Sequence, residues 1–461
     1  MRGALEMKAS QIGKPVLCSA LVCVLALSAC SNQNESANSK GGANSNAAAD
    51  PKAAGKPVTI KFHTWWDAKN ERLEPMISEF EKLNPGIKVE PIRLEGKDAY
   101  ETLKKLDLLA ASGETLDVIM FNNPTSYAQR VGMGMAEPLD SYLKAEGVKY
   151  DDEYSNDTSI KGVHYALPGT WMPDVVILNK DHLAKAGLPV PKEWTFDEFL
   201  EYSKKLTKVA GDDQYGTYFH NWEPSFNIAL RNQPANSLMI SEDGKLNVSS
   251  PGVRKSLEIV YNAQMRDKSA MPYSDVISRK LHYAWPYFNA KASMQILGGY
   301  MIGRVGGYDM YEAKFPTAFA PYPKMNKGDE NYAPVSETQY LAVAASSKHK
   351  EEAYKFIRYY STEGFGVQGR FINAWKKQDV GKNIDKIVSL TPKPNMIDAE
   401  SFKNVMSVSK MVKLQAPPTY YNEIVQAYTE EMELYLLGKQ DLDKTIKKVE
   451  EKAQKIKELN K

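Results

Sequence analysis

From residue 56 onward the hydrophobic positions recur with two periods. Lys56 to Phe62 (KPVTIKF) alternates apolar and polar residues and predicts a first strand, leading into His63-Thr64-Trp65-Trp66-Asp67. Leu73, Met76, Ile77, Phe80 and Leu83 then fall at helical spacing, and Asn84-Pro85-Gly86 stops that helix. Ile87 to Glu90 alternates again as a strand. Tyr100, Leu103, Leu106 and Ala110 mark a second helix that ends near Gly113. Leu116 to Phe121 (LDVIMF) is a short, nearly continuous apolar run, the pattern of a strand buried on both faces. The order strand, helix, strand, helix, strand predicts a parallel α/β arrangement.

The same logic carries further along the chain. Val175 to Leu178 predicts a strand that ends at Asn179-Lys180-Asp181, followed by a helix to Ala186-Gly187. Gly187 to Pro191 is a turn, since its prolines forbid continuing the helix. Trp194 and Phe196 introduce the next helix, with Thr195 or Asp197 as its N-cap, and Trp194 reads as a packing residue. Ala292 to Leu297 is a strand opening onto Gly298-Gly299-Tyr300. At the end, Leu442, Ile446, Val449, Ala453, Ile456 and Leu459 form one stripe with lysines and glutamates opposite, a terminal helix packed on its own domain.

The first 56 residues are of another kind. Arg2, Lys8 and Lys14 precede an apolar run from Val16 to Leu27, too short to span a bilayer and laid out as a signal peptide over residues 1–29. Leu27-Ser28-Ala29-Cys30 resembles the lipobox of bacterial lipoproteins, which implies a lipid on Cys30 and anchorage outside the cell membrane. Residues 30–56 are nearly all Ser, Asn, Gly, Ala and Lys, a composition that cannot bury enough apolar surface to offset its ordering entropy; they read as a disordered tether. The three cysteines, Cys18, Cys23 and Cys30, all lie at or before the processing point, so the globule has no disulfide and no thiolate site. Cleavage before Cys30 removes three basic residues and one acidic residue, leaving 56 of each sign. That balance argues against a nucleic-acid partner.

Catalytic signatures are scarce. No GxxxxGK[ST], GxSxG, HExxH or usable CxxC is present, and the six histidines are scattered. No pair among the many acids is singled out as the two carboxylates of a glycosidase, which leaves an exported carbohydrate-active enzyme as an alternative. A metal- or polyamine-binding protein is a further alternative; for a metal, the adjacent tyrosines Tyr359-Tyr360 and Tyr420-Tyr421 could supply phenolate ligands.

An ordered set of stretches carries a family resemblance. FEKLNPGIKVE, LAASGETLDVIMF and MAEPLDSYL come first. HYALP at 164–168, the 178–208 stretch and FNAKASMQILGGY at 288–300 follow. FAPYPK at 319–324, the 336–362 stretch and the segment 435–456 complete it. The chain resembles the extracellular solute-binding proteins of ABC importers, the group that includes maltose-binding protein. The resemblance implies a two-lobed α/β fold, each lobe a mixed sheet flanked by helices, with a ligand cleft between them. Three crossings are expected near Ala136–Leu139, Pro316–Tyr322 and Gly369–Lys376, giving lobe one as 57–138 plus 322–372 and lobe two as 139–321 plus 373–461. It further implies a monomer that binds a carbohydrate, an oligosaccharide, and delivers it to the membrane permease by hinge closure, with no cofactor, no metal and no chemistry of its own.

The expected ligand-facing residues are aromatic and amide side chains at strand ends, because a flat ring covers the C–H face of a sugar while polar groups meet its hydroxyls. After the first strand these are Trp65, Trp66 and Asp67. After LDVIMF they are Asn122 and Asn123, which could equally cap the turn at Pro124. Tyr300 follows Gly298-Gly299, where relatives often carry a stacking aromatic and where glycines would let backbone approach the ligand. Trp171 and Trp222 stand in loop-like contexts, and Tyr420 and Tyr421 form a further wall.

The anchor makes a direct prediction. The mature protein should partition into detergent with lipid on Cys30, and Cys30→Ala should be released or left unprocessed. Intact mass showing an unmodified Cys30 at the mature N-terminus would refute it.

Overall fold

The structure, a computed structural model, describes residues 57–460 apart from 97–98, 212, 309–310, 313, 336–338, 414 and 416. Cys30, the signal segment and the tether fall outside the described residues. Two sheets organise the rest. In the first, the strands Val58–Thr64, Ile87–Arg93 and Val118–Phe121 run parallel, while Tyr340–Val343 and Leu167–Pro168 complete the order 87–93, 58–64, 118–121, 340–343, 167–168. Tyr340–Val343 pairs antiparallel with both of its neighbours. All four residues of Val118–Phe121 are buried, as the continuous apolar run requires. Alternation then sorts the side chains: Val118, Met120, Leu341 and Val343 enter one core cluster, and Ile119, Phe121, Tyr340 and Ala342 enter another.

The second sheet has the order 317–320, 174–179, 292–298, 215–217. Its centre, Asp174–Asn179, is buried at every position. Val175 and Ile177 share the first sheet's larger cluster, whereas Val176 and Leu178 face a cluster closed by the C-terminal helices. The mixed sheets and flanking helices agree with the two-lobed α/β class expected from the sequence.

Helix boundaries follow local chemistry. The helix Leu73–Leu83 buries Leu73, Met76, Ile77 and Phe80. Leu83 is 62% exposed: Asn84 turns both its backbone N–H and its side-chain amide back to the Phe80 carbonyl, so the last turn overhangs the core. Thr195, not Asp197, caps the helix Phe196–Ala210, in a capping box with Glu198. The terminal helix Leu442–Leu459 buries Ile446, Val449 and Ala453 and packs against Tyr421–Leu436, but Leu459 is 76% exposed. Among the described residues no helix is long and apolar enough to cross a membrane.

Two lengths of backbone join the sheets, and a third lies against them. The chain leaves the first sheet at Pro168 and enters the second at Asp174. The sheets therefore change at 169–173, and the expected crossing at Ala136–Leu139 is displaced, because Leu167–Pro168 still pairs with Tyr340–Val343. The return lies after Ala320, the end of the 317–320 strand, and before Tyr340. A third length, 369–375, runs between two helices and lies beside the first through the bridge Thr170 to Asn373, while Trp375 bridges to Tyr154. Gly169 N–H donates to the Gln339 carbonyl at 2.6 Å, Ala374 N–H to that of Gly169 at 2.9 Å, and Asp174 N–H to that of Pro334 at 2.8 Å. A Cβ on Gly169 would stand 2.8 Å from the Gln339 carbonyl and from the Phe365 ring, so this position must be glycine.

Trp194 is 2% exposed, packs edge-on against Phe199 and Tyr202, and donates its indole N–H to the Pro321 carbonyl at 2.7 Å. Trp194→Ala should therefore cost about 3–5 kcal/mol of stability. Urea denaturation of parent and variant measures this, and a change below about 1 kcal/mol would refute the assignment.

Candidate functional site

Strand direction fixes which residues meet. The strands Val58–Thr64 and Val118–Phe121 end on the same side, so Trp65-Trp66-Asp67 and Asn122-Asn123 emerge from one edge of the first sheet. Tyr340 pairs with Phe121 and with Pro168, which brings Gln339 and the start of the 169–173 passage to that edge. In the second sheet Asp174 pairs with Gly298, so the strand that receives the passage begins where Gly298-Gly299-Tyr300 leaves. Thr217 pairs with Met294, and the chain runs from it towards His220 and Trp222. The passage from Pro168 to Asp174 can span at most about 20 Å, so the two edges are close neighbours. This is the place where an open α/β sheet takes ligand, beyond strand ends.

The expected residues divide into exposed and covered groups. Trp222 is 49% exposed, with its ring 5.0 Å from Tyr283 and edge-on to His220 at 4.6 Å. Trp65, Trp171 and Tyr300 are half-buried against the first core cluster, and the Trp171 N–H donates to Ile372 within the passages. The Asp67 carboxylate accepts from Arg93 at 3.1 Å and from the Asn70 backbone at 2.8 Å. Asn122 is buried and accepts from the Asn123 amide at 3.0 Å.

Other expectations need correction. Trp66 is 5% exposed and stacks on Phe371 at 5.0 Å with an 8° interplanar angle, so its face is already covered. Tyr421 is 7% exposed within the second core cluster, beside Ile424 and Tyr428, because it opens the helix Tyr421–Leu436 on its inner side. Asn123 is the N-cap of the helix Pro124–Gly132, accepting from the Ser126 N–H at 2.9 Å. Tyr420 packs on that second cluster, beside the turn at Gly244. The Gly298-Gly299 pair serves the passage: a Cβ on Gly299 would lie 2.8 Å from the Pro173 carbonyl and 3.1 Å from Met172. Of the tyrosine pair considered for metal, Tyr360 is fully buried and donates to Gln368 at 3.1 Å. Among the described residues no three His, Cys, Asp or Glu are grouped to hold a metal ion.

The structure also adds residues that periodicity could not select. Arg304 lies over Tyr300, 4.7 Å from the ring centroid, and donates to the Tyr283 hydroxyl at 2.9 Å. That hydroxyl is 3.1 Å from the hydroxyl of Tyr311. Burial works against the charge of Arg304, but Tyr283, Tyr311, Tyr300 and Glu71 outweigh it and hold the guanidinium protonated more firmly than usual. At the start of the 174–179 strand, Asp174 accepts from Arg231 at 2.6 Å. Glu223 faces the same arginine and is hydrogen-bonded to Asn227. The available signals were weak: Glu223 directly follows Trp222, and Arg304 falls one helical turn after Tyr300.

Two groups here titrate in opposite senses. Burial raises the Glu223 carboxyl from 4.5 to about 7, against the pull of Arg231 and Asn227. The folded chain keeps a proton that the unfolded chain has released, so this stabilisation is full below 4.5 and is lost as pH rises through about 7. Burial lowers His220 from 6.5 to about 4, with His282 adding repulsion. The folded chain resists a proton that the unfolded chain accepts, so this stabilisation is full above 6.5 and is lost as pH falls through about 4. The two oppose each other between these limits. Relative to the parent, Glu223→Gln should lose melting temperature more steeply on acidification, and His220→Gln less steeply. Identical pH profiles for all three proteins would refute the pairing.

The model of the bacterial extracellular solute-binding protein family matches residues 66–366. A putative ABC transporter periplasmic-binding protein, YcjN of Escherichia coli, is 28% identical over 316 residues, 63% of this chain and 63% of its own length, so the chain spans just under two thirds of that relative. The multiple sugar-binding protein of Streptococcus mutans is 24% identical over 322 residues, 66% of this chain and 71% of that protein. Among solved structures, the ABC substrate-binding protein Lmo0181 of Listeria monocytogenes, in complex with cycloalternan, superposes with a TM-score of 0.69 at 21% identity, covering 87% of this chain and 99% of that one. The chain belongs to the bacterial extracellular solute-binding protein family.

Proposed function

We propose that the protein captures a carbohydrate, an oligosaccharide, between the two sheet edges and hands it to the membrane permease of an ABC importer. It acts as a monomer, binds without transforming its ligand, and stays at the outer face of the cell membrane through a lipid on Cys30. One observation carries the reading. Two strand-end edges confront each other across the short passage 169–173, and they carry the exposed Trp222 together with the half-buried Trp65, Trp171 and Tyr300. Rings beside charged and amide groups suit a sugar, whose faces are apolar and whose rim is hydroxylated. The names of the Streptococcus and Listeria relatives, which speak of sugars, support the same class of ligand.

The passages at 169–173, after Ala320 and at 369–375 serve in this reading as the hinge between two lobes built on the two sheets. The lobes follow the expected division except that residues 139–168 move with the first. Ligand stabilises the closed arrangement, which the permease recognises.

Calorimetry with a series of neutral and acidic oligosaccharides tests binding. Burying one aromatic face of a sugar removes roughly 50–100 Å² of apolar surface, worth about 1–3 kcal/mol. Trp222→Ala and Tyr300→Ala should each weaken binding by about 5- to 150-fold. Both variants should fold normally. Chromatography of the sugar after incubation should show it unchanged, and the scattering radius should shrink at saturation. Cleaved sugar would overturn the binding-only reading, and parental affinity in both variants would overturn the site.

A further inference from the structure

The arginines of this protein fall into two groups. Arg93, Arg130, Arg231, Arg254, Arg266, Arg279 and Arg358 each lie within ion-pair distance of an Asp or Glu. Among the described residues Arg72, Arg304 and Arg370 have no such pair, and these three collect at one place. Arg72 follows the Trp65–Asp67 edge and donates through Nε to the Gln368 carbonyl at 3.1 Å. Arg370 lies at the start of the third passage, within electrostatic reach of Arg72. Arg304 rises from the second edge, one turn after Tyr300. The Glu71 carboxylate lies within reach of both Arg304 and Arg370, one negative group shared between them.

Arg370 is the sharpest of the three. It is 9% exposed, and its guanidinium lies 3.6 Å over the centroid of the Tyr308 ring. Its Nε and Nη1 are buried without a hydrogen-bond partner. A desolvated guanidinium with idle donors is costly, and nearly all buried polar groups in proteins are satisfied. Arg304 likewise rests on tyrosine faces, those of Tyr300 and Tyr311, and its Nη1 bonds a neutral hydroxyl. Stacking on an aromatic ring occupies only the face of a guanidinium and leaves its in-plane N–H fork available for edge-on pairing, the geometry that receives a carboxylate, sulfate or phosphate by two parallel hydrogen bonds.

We propose that the cleft takes an anionic carbohydrate, one bearing a carboxylate, sulfate or phosphate, whose charged group is bound by Arg370 and Arg304 with Arg72 in support. This rests on the carbohydrate reading above and narrows it. The aromatic residues Trp222, Tyr300 and Trp65 take the sugar rings, and the tyrosine-stacked arginines take the acid.

The test uses calorimetry on the mature chain with matched pairs of probes. These are oligogalacturonates against their methyl esters, a sulfated disaccharide against its desulfated form, a sugar phosphate against the parent sugar, and inorganic phosphate and sulfate alone. The charged member of at least one pair should bind about tenfold or more tighter than its neutral partner, and raised salt should erode that preference. Arg304→Gln and Arg370→Gln should remove the preference, bringing the charged member's affinity down to that of its neutral partner in the same variant. Arg370→Lys, which keeps the charge and guards against a folding defect, should retain part of it. Arg254→Gln, a surface arginine paired with Asp443, is the control. Neutral members binding as tightly as charged ones would overturn this inference and leave the carbohydrate reading standing. So would a preference that survives both Gln variants, or one shown only by the inorganic anions. Binding of no sugar of either kind would overturn both.

Discussion

The three backbone passages between the sheets are hydrogen-bonded to one another, and the rest of the molecule is arranged about that contact. Gly169 sits at its centre, donating to Gln339 and accepting from Ala374, while Trp171 donates to Ile372 and Asp174 to Pro334. Four bonds of this kind, made between segments far apart in sequence, hold the two sheet edges opposite each other. The packing is tight enough to exclude a Cβ at Gly169 and at Gly299. Such a joint is stiff against sliding yet only a few residues thick, and under the proposed function a small change in its backbone torsion would swing a whole sheet.

Around the joint some charged groups are held without an ionic partner. Most arginines meet carboxylates, as in Arg130 with Asp107 and Arg358 with Glu146 and Glu153. Those pairs fix helices to their neighbours. At the edges, Arg304 and Arg370 rest on tyrosine rings, and desolvation raises the Glu223 carboxyl to about 7. Such groups are expensive to desolvate and contribute little to the stability of the fold. They collect at the place where the strand ends converge, and perturbed groups of this kind favour the site proposed there. Asp174 joins both roles, since it begins the central strand of the second sheet and holds Arg231 at 2.6 Å.

Periodicity alone determined the secondary structure that positions these groups. Alternation located Val58–Thr64, the continuous run located Val118–Phe121, and the apolar stripes located the helices Leu73–Leu83 and Leu442–Leu459. Turn and cap chemistry set their ends, because those signals act within a few residues: Thr195 with Glu198, and Asn84 with Phe80. The ordered stretches of the chain also carried the family, which the match over residues 66–366 establishes. What the sequence could not settle was which aromatic faces solvent. Trp65 and Trp66 are adjacent and chemically alike, yet Trp66 is covered by Phe371, a residue from the third passage, while Trp65 remains half-exposed. Tyr420 and Tyr421 divide in the same way at the start of one helix. Exposure, the pairing of each arginine and the place where the chain changes sheets depend on contacts made across hundreds of residues. Local pattern encodes the direction a side chain leaves the backbone; only the tertiary structure decides what it meets there.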